Sequence, residues 1–287
     1  MLTILHISDL HFGPPFAPAV GQALLRIAPQ LAPDVVVASG DFTQRAKAAQ
    51  FAEAREFLDR LPAVPLVTVP GNHDVPLYRI FERIFTPYAL YRRYISDELD
   101  SVLRLESAVF VSLNTTSPLG AITNGRITRW QLDFCERAFQ DAPGECARIV
   151  VAHHHFAPAP DYDNEHDVMR RGRQALDRFN SLKVDLILGG HLHRAYIGNS
   201  LDVYPSKDRA SGITIVQSGT STSGRGRARE REKNSFNLIR IDRDVMHIDH
   251  YMYFHELEGF ARLSRHEFPR RDRHYLRPRG DMDWGAR

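Results

Sequence analysis

Nine side chains of metal-binding or proton-carrying type stand in five short clusters along this 287-residue chain. They are Asp9 and His11; Asp41; Asn72, His73 and Asp74; His153; and His191 and His193. Each cluster closes a short apolar run. The clearest is Leu66-Val67-Thr68-Val69, which halts at the turn signal Pro70-Gly71 and delivers Asn72-His73-Asp74. A single such cluster is ordinary turn chemistry, with Asn72 bonding its own backbone and His73 half exposed. Five at successive strand ends are hard to explain as packing, because each desolvated polar group needs its own partner. At the carboxyl ends of α/β strands they would meet where ligands bind. The pairs Asp9/His11 and His191/His193 have spacing two, which aims both side chains one way if the backbone there is extended. Mixed carboxylate, amide and imidazole donors suit Zn, Fe, Mn or Ni rather than Mg or Ca. Seven ligands (Asp9, His11, Asp41, Asn72, His153, His191 and His193) exceed the needs of one ion. Two ions sharing a carboxylate is the economical arrangement.

The elements that must hold these residues follow a βαβ rhythm. Apolar runs at 2–8, 35–38 and 66–69 alternate with helical patterns at 20–31 and 44–61, which predicts a largely parallel inner sheet covered on both faces. Further strands are expected at 102–105, 108–113, 148–152 and 183–188, with helices from Thr128 and over 171–182. Runs at 212–217, 235–242 and 245–254 read as an antiparallel set, turned by Asp242-Arg243-Asp244. No internal repeat is visible.

Composition narrows the class. Hydrophobic residues make up 43% and charged residues 25%, enough for a sizeable core. The net charge of +2 comes from nearly balanced counts, 37 basic against 35 acidic, which argues against a general nucleic-acid binder. Two cysteines, Cys135 and Cys146, exclude a disulfide framework. The first residues read as a strand rather than a secretory signal, and no apolar run approaches the roughly 18 residues of a membrane span, so a cytoplasmic protein is expected.

Two stretches have two readings each, and a third has one. Residues 77–95 are aromatic and basic, broken at Pro87, and could cap the site within a segment of about 76–100 or pack their rings inward. The Gly-rich loop 219–233 carries Arg225, Arg227, Arg229, Arg231 and Lys233. It could neutralise a phosphate or be a solvated loop with Glu230 and Glu232 interleaved. The Arg-rich stretch 256–287 is low in periodicity, broken at Pro269 and Pro278, and reads as a surface tail beyond a domain spanning 1–255.

Asp9-Leu10-His11, Gly40-Asp41, Gly71-Asn72-His73-Asp74, His153-His154 and Gly190-His191-Leu192-His193 together resemble the motif set of the calcineurin-like metallophosphoesterases, in order and over residues 1–195. The Ser39–Ala46 and Ser218–Phe236 segments resemble the bacterial cyclic-nucleotide phosphodiesterase-like branch. The resemblance implies an α/β fold, a four-layer α/β/β/α sandwich of two mixed sheets flanked by helices. It also implies a binuclear centre of divalent or mixed-valence ions (Mn, Fe or Zn). In that scheme Asp9, His11 and His193 hold one ion, Asn72, His153 and His191 the other, and Asp41 bridges. Two departures stand out. Gln44 takes the place of an acidic or amide residue that is not a ligand. His155 replaces a proline after the His-His pair, so three histidines compete for one position, and register with the strand selects His153.

The implied reaction is phosphoester hydrolysis by a hydroxide held between two ions, with a phosphodiester as the substrate class and a cyclic nucleotide as one candidate. His73 binds no metal in this scheme. It would stabilise the phosphoryl oxygens or protonate the leaving alkoxide, with Asp74 fixing its ring. A rival reading is a pyrophosphatase of a nucleotide-linked lipid precursor, its basic aromatic stretch and Arg-rich tail meeting an anionic membrane surface. A metal-free scaffold would lack ligands, and every ligand position here is filled. Homodimerisation is expected only by analogy with the family.

Overall fold

Along the first strand, successive side chains serve two different cores. In β1 (Leu2–Ile7), Leu2 and Ile4 join one apolar cluster while Leu5 and Ile7 join another. That is the period-two signature of a strand covered on both faces. The computed structural model describes residues 1–120, 123–158, 168–203, 212–226 and 233–270. In chain order the elements are β1, α1 (Pro18–Ile27), β2 (Val35–Ala38), α2 (Ala48–Asp59), β3 (Leu66–Thr68), α3 (Ile80–Phe85), α4 (Ala89–Tyr94), β4 (Ser101–Arg104), β5 (Ala108–Leu113), α5 (Arg129–Gln140), β6 (Ala147–Ala152), α6 (Gly172–Ser181), β7 (Leu186–Gly189), β8 (Tyr196–Asn199), α7 (Ser200–Val203), β9 (Thr214–Gln217), β10 (Ser235–Ile241), β11 (Val245–Phe254) and β12 (Gly259–Pro269).

Two six-stranded sheets result, ordered β12-β11-β10-β1-β2-β3 and β4-β5-β6-β7-β9-β8. Both are mixed: β1–β2–β3 and β5–β6–β7–β9 run parallel, with antiparallel strands at the flanks. Val35, Val37, Val67, Phe110, Ile149, Val151, Leu186 and Leu188 fill the space between the sheets. Residues of α1, α2 and α4 cover the outer face of the first sheet, and those of α5 and α6 the outer face of the second. The order is helix, sheet, sheet, helix, the expected four layers.

Several boundaries differ from expectation for identifiable reasons. Helix α2 starts at Ala48 rather than Gln44, because the Thr43 hydroxyl accepts the Ala46 N–H at 2.9 Å and the Gln50 amide accepts the Arg45 N–H at 2.9 Å, which makes 43–47 a turn. The run at 212–217 does not pair with 235–241; β9 lies in the other sheet, parallel to β7. The short strand β8 carries too few apolar residues to register as a pattern. Residues 77–95 divide: Tyr91 is buried with its hydroxyl 2.9 Å from Thr68 Oγ1 and Tyr94 stacks on Phe51, whereas Tyr78, Phe81 and Phe85 are exposed. No helix among the described residues is long and apolar enough to cross a membrane.

The stretch read as a tail from residue 256 instead contributes the edge strand β12, paired with β11 from Val245↔Pro269 to Phe254↔Gly259. Its arginines explain the misreading, because they pair across the strands with a buried acid while their own side chains stay partly exposed. Asp249 of β11, its side chain wholly buried, accepts from Arg240 at 2.7 Å and from Arg265 at 2.6 and 2.9 Å. Arg270 then bonds the carbonyls of Asp242, Arg243 and Glu145. Residues 271–287 lie outside the described residues.

Burial pushes the Asp249 carboxyl up, but Arg265 and Arg240 outweigh it and hold it below the usual carboxylate range. A depressed pKa in the folded state stabilises above the unfolded value of about 3.9 and stops doing so as pH falls through the folded value. Asp249→Asn is therefore expected to lower stability at pH 7 by about 1–2 kcal/mol, since the arginines are partly exposed and screened. The difference from wild type should begin to narrow below about pH 4 and vanish only below the lowered folded pKa, and a smaller difference in denaturant melts at pH 3.5 than at pH 7 would check it.

Candidate metal centre

Three strands of the first sheet and two of the second deliver the five clusters to one edge. After β1 and β2 the chain keeps its register side by side: the N–H groups of Asp9, His11 and Phe12 bond the carbonyls of Gly40, Asp41 and Phe42 at 3.0, 2.9 and 2.9 Å. The two pairs at spacing two are not extended. Asp9, His11, Asp41, His191 and His193 all take left-handed backbone, with φ of 54°, 50°, 55°, 74° and 52°. For non-glycine residues such a conformation costs of order 1–3 kcal/mol each and clusters at functional sites. Side chains converge here through successive kinks rather than through pleat alternation.

Glycines make the close approach feasible at two points. Gly40 has φ of 97°, and a Cβ there would fall 2.6 Å from His153 Nδ1. At Gly71 a Cβ would fall 2.2 Å from Asp41 Oδ1.

All seven candidate ligands lie around Asp41. On one side, Asp9, His11, Asp41 and His193 place ligand atoms within 4.8 Å of one another, all buried. His11 Nε2 is 2.9 Å from His193 Nε2 and 3.6 Å from Asp41 Oδ2, and His193 Nε2 is 3.2 Å from Asp9 Oδ1. On the other side, His153 Nε2 is 3.5 Å from Asp41 Oδ1 and 3.2 Å from Asn72 Oδ1, which in turn is 2.9 Å from His191 Nδ1. The two oxygens of Asp41 thus face two different sets. His154 is drawn away from this group, its Nδ1 2.8 Å from Thr115 Oγ1, and the His155 ring stacks beside His191 at 5.8 Å.

The donor set fits metal ions. Asp9 Oδ1, Asp41 Oδ2 and His11 Nδ1 are buried with no hydrogen-bond partner, an expensive arrangement for polar atoms unless a cation meets some of them. Outer contacts aim the rings: His153 Nδ1–H donates to the Ser39 carbonyl at 2.7 Å and His193 Nδ1–H to the Arg225 carbonyl at 3.0 Å, leaving each Nε2 turned inward.

The metal-free electrostatics are those of a proton trap. Burial pushes Asp9 and Asp41 up, but the surrounding histidines outweigh it and hold both well below the carboxylate range. Burial brings His11 down to about 4. Burial also pushes His153 down, yet Asp41, Asp9 and the Ser39 carbonyl raise it to about 9. A raised folded pKa means His153 keeps its proton through neutral pH and sheds it only near 9, so metal must displace that proton. Metal affinity is expected to climb between pH 7 and 9 and level off above. Titration calorimetry at pH 7 in buffers of different ionisation enthalpy should show proton release, and none would contradict this assignment.

His73 and Asp74 are placed differently from expectation. The carboxylate of Asp74 does not touch the His73 ring. It accepts the N–H groups of Gly71, Thr43 and Phe42 at 2.9, 2.9 and 3.2 Å, plus the Thr43 hydroxyl at 3.1 Å. A carboxylate two bonds from its own backbone reaches the donors of the adjoining loop before it reaches the neighbouring ring, so Asp74 locks the 71–74 turn to the 41–43 loop. Burial, then the Asp41 charge, raises its pKa to about 7. What fixes His73 is the Gln44 carbonyl, 2.9 Å from Nδ1, while the His73 N–H donates to Asp41 Oδ1 at 2.8 Å. Sequence reasoning missed these carbonyls of Gln44, Ser39 and Arg225, since a backbone acceptor has no side-chain signature.

A cavity of about 220 Å³ opens onto this cluster, lined among others by Asp41, Gln44, Arg45, Asn72, His73 and Leu77. Of the basic loop, Arg225 reaches Gln44 Oε1 at 3.0 Å, whereas Arg227, Arg229 and Arg231 lie outside the described residues.

Residues 2–195 match the family Calcineurin-like phosphoesterase, and the chain belongs to it. Among curated relatives, the 3',5'-cyclic adenosine monophosphate phosphodiesterase CpdA of Escherichia coli K12 is 29% identical over 166 residues, 56% of this chain and 54% of that protein. The chain thus aligns with about half the length of that relative. The cAMP/cGMP dual specificity phosphodiesterase MT0825 of Mycobacterium tuberculosis is 27% identical over 242 residues, 76% of this chain and 71% of that one. In fold, the chain is similar to the purple acid phosphatase PPD1 of yellow lupin (TM-score 0.71, 14% identity, 96% of this chain and 54% of that). It is also similar to PhoD (TM-score 0.63, 11% identity, 92% and 71%).

Proposed function

We propose that this metallophosphoesterase hydrolyses phosphodiesters, with a cyclic nucleotide as the foremost candidate substrate, and that it uses two transition-metal ions of the Mn, Fe or Zn type. The observation that carries this reading is Asp41: one buried carboxylate with its two oxygens turned to two separate nitrogen-rich sets. Asp9, His11 and His193 would hold one ion and Asn72, His153 and His191 the other. A bound pair supplies Lewis acidity to the phosphoryl oxygens and lowers the pKa of water toward neutrality.

The protein's own residues supply orientation and a proton. His73 lines the cavity with Nδ1–H held by the Gln44 carbonyl, so Nε2 is the atom left to face the substrate. From there an imidazolium can stabilise the phosphoryl oxygens or pass its proton to the departing alkoxide. The cavity is smaller than the roughly 300–1,000 Å³ of pockets that enclose a drug-sized ligand. It suits a phosphoryl group and its immediate substituents, leaving the remainder of the substrate at the mouth. There the exposed Tyr78 ring lies beneath the Arg45 guanidinium, 5.2 Å from its centroid, a planar shelf of the kind on which nucleobases stack. The similarity to two cyclic-nucleotide phosphodiesterases agrees.

The test is a panel on metal-reconstituted protein: 3',5'-cyclic AMP and cyclic GMP, bis(4-nitrophenyl) phosphate, 4-nitrophenyl phosphate, and a nucleoside-diphosphate-linked lipid. Phosphodiesters should turn over with kcat/KM at least tenfold above the monoester. Preference for the monoester or for the pyrophosphate bond would overturn the reading.

A further inference from the structure

We propose that helix α3 and the arginine-lined groove beside it form a docking face for an anionic phospholipid bilayer. Its observations lie outside the metal centre, so it stands independently of the substrate reading. Helix α3 buries none of its residues. Phe81 is 80% exposed and Phe85 75%, with Ile80 and Ile84 also open to solvent. Leu119, 76% exposed, belongs to the same ridge, because Arg83 Nε bonds the Pro118 carbonyl at 2.5 Å. The helix is amphipathic in the inverted sense. Arg79 at its N-cap turns inward to the Ala46 carbonyl at 2.6 Å and Arg83 to the Pro118 carbonyl, while its phenylalanines face out. An ordinary surface helix does the opposite. With aromatic side chains offering 150–250 Å² each, this ridge exposes on the order of 600 Å² of apolar surface, the upper end of what a lone soluble chain leaves uncovered.

The groove decides what covers the ridge. It measures about 590 Å³ and is lined by Ile84, Leu119 and Trp130 together with Arg83, Arg126 and Arg170. Arg126 and Arg170 are exposed and pair with no carboxylate among the described residues. The acid lining the groove, Asp100, is occupied by the Asn114 N–H at 3.0 Å and the Gln131 amide at 2.7 Å. A second copy docking its own ridge by two-fold symmetry would bring a second arginine groove with it, setting like charges face to face. A bilayer answers both features, with acyl chains for the phenylalanines and lipid phosphates for the arginines. Leu77, which lines the metal cavity, leads directly into α3, so docking would bring the cavity mouth to the lipid surface.

The test is co-sedimentation of the full chain with large unilamellar vesicles at 0.1 M salt. Vesicles containing about 30% phosphatidylglycerol should retain the protein far better than pure phosphatidylcholine, by roughly fivefold per engaged arginine. Phe81→Asp/Phe85→Asp should lose at least tenfold in binding while keeping the wild-type circular dichroism and metal content. Arg126→Gln/Arg170→Gln should abolish the preference for anionic lipid. Brominated acyl chains should quench Trp130 of the groove in wild type and quench tryptophan fluorescence more strongly in Phe81→Trp, a readout independent of any loss of folding. Wild-type protein that ignores phosphatidylglycerol vesicles, or binding that persists in the double aspartate variant, would overturn the proposal. So would a wild-type dimer in light scattering that this variant makes monomeric.

Discussion

Replacing Asp41 by alanine is expected to leave the sandwich folded and to remove both metal binding and turnover. Its carboxylate is fully buried, and one oxygen has no hydrogen-bond partner while the other takes the His73 N–H at 2.8 Å. Its two oxygens are turned to the two nitrogen sets, so its loss opens both at once. Changes to outer partners of metal ligands cost roughly 10–100-fold in affinity or activity, and a shared ligand should exceed that range. Metal analysis after dialysis should find the variant depleted and kcat/KM down by at least about 10³-fold, beyond that outer-partner range. Asp41→Asn keeps the shape and half the donor capacity, and should fall between alanine and wild type. The fold itself should survive, because Asp41 lies outside the three apolar clusters that hold the layers together. Wild-type metal content in Asp41→Ala would refute the shared-ligand role.

The second large effect is at His73. His73→Ala should retain metal, since the ring bonds the Gln44 carbonyl and meets the His11 ring only edge-on, 4.9 Å between centroids, and should lose roughly 10²–10⁴-fold in kcat. The loss should depend on the leaving group. An alkoxide, such as the ribose oxygen of a cyclic nucleotide, needs a proton as it departs; 4-nitrophenolate does not. If His73 supplies that proton, the variant should be damaged far more toward the alkyl substrate. Equal losses on both would assign His73 to the phosphoryl oxygens instead, and unchanged kcat on both would remove it from the chemistry. A comparison of kcat for both substrates, at matched metal content, distinguishes these outcomes.

How much of this was legible in the sequence follows from how each feature is encoded. The central strands are largely apolar runs that end in polar or turn-forming residues, so β1, β2, β3, β5 and β6 stood out, and so did the residues at their ends. Strand β12 was invisible because its cross-strand arginines resemble a solvated tail until Asp249 is seen among them. The parallel pairing of β9 with β7 depends on which sheet the chain enters, and a four-residue strand carries no record of that. At the site, residue types and spacing singled out the side chains that gather around Asp41, but not the left-handed backbone that converges them. The role expected of Asp74 failed for a related reason. Adjacency in sequence suggested contact with His73, whereas three backbone N–H groups of the 41–43 loop and Gly71 offered that carboxylate a nearer set of partners. Conversely, the sequence of 77–95 allows either a cap over the site or rings packed inward, and only the structure shows Tyr78, Phe81 and Phe85 facing outward.

The central claim is that two metal ions gathered around Asp41 make this chain a phosphodiesterase, and stoichiometric reconstitution tests it most directly. Metal-stripped protein is titrated with Mn²⁺ or Zn²⁺, bound metal is measured by mass spectrometry, and hydrolysis of bis(4-nitrophenyl) phosphate is followed in the same samples. Activity should be absent in stripped protein and rise to a plateau at two ions per chain. Full turnover without metal, a plateau at one ion, or no phosphodiester hydrolysis with both positions filled would contradict it.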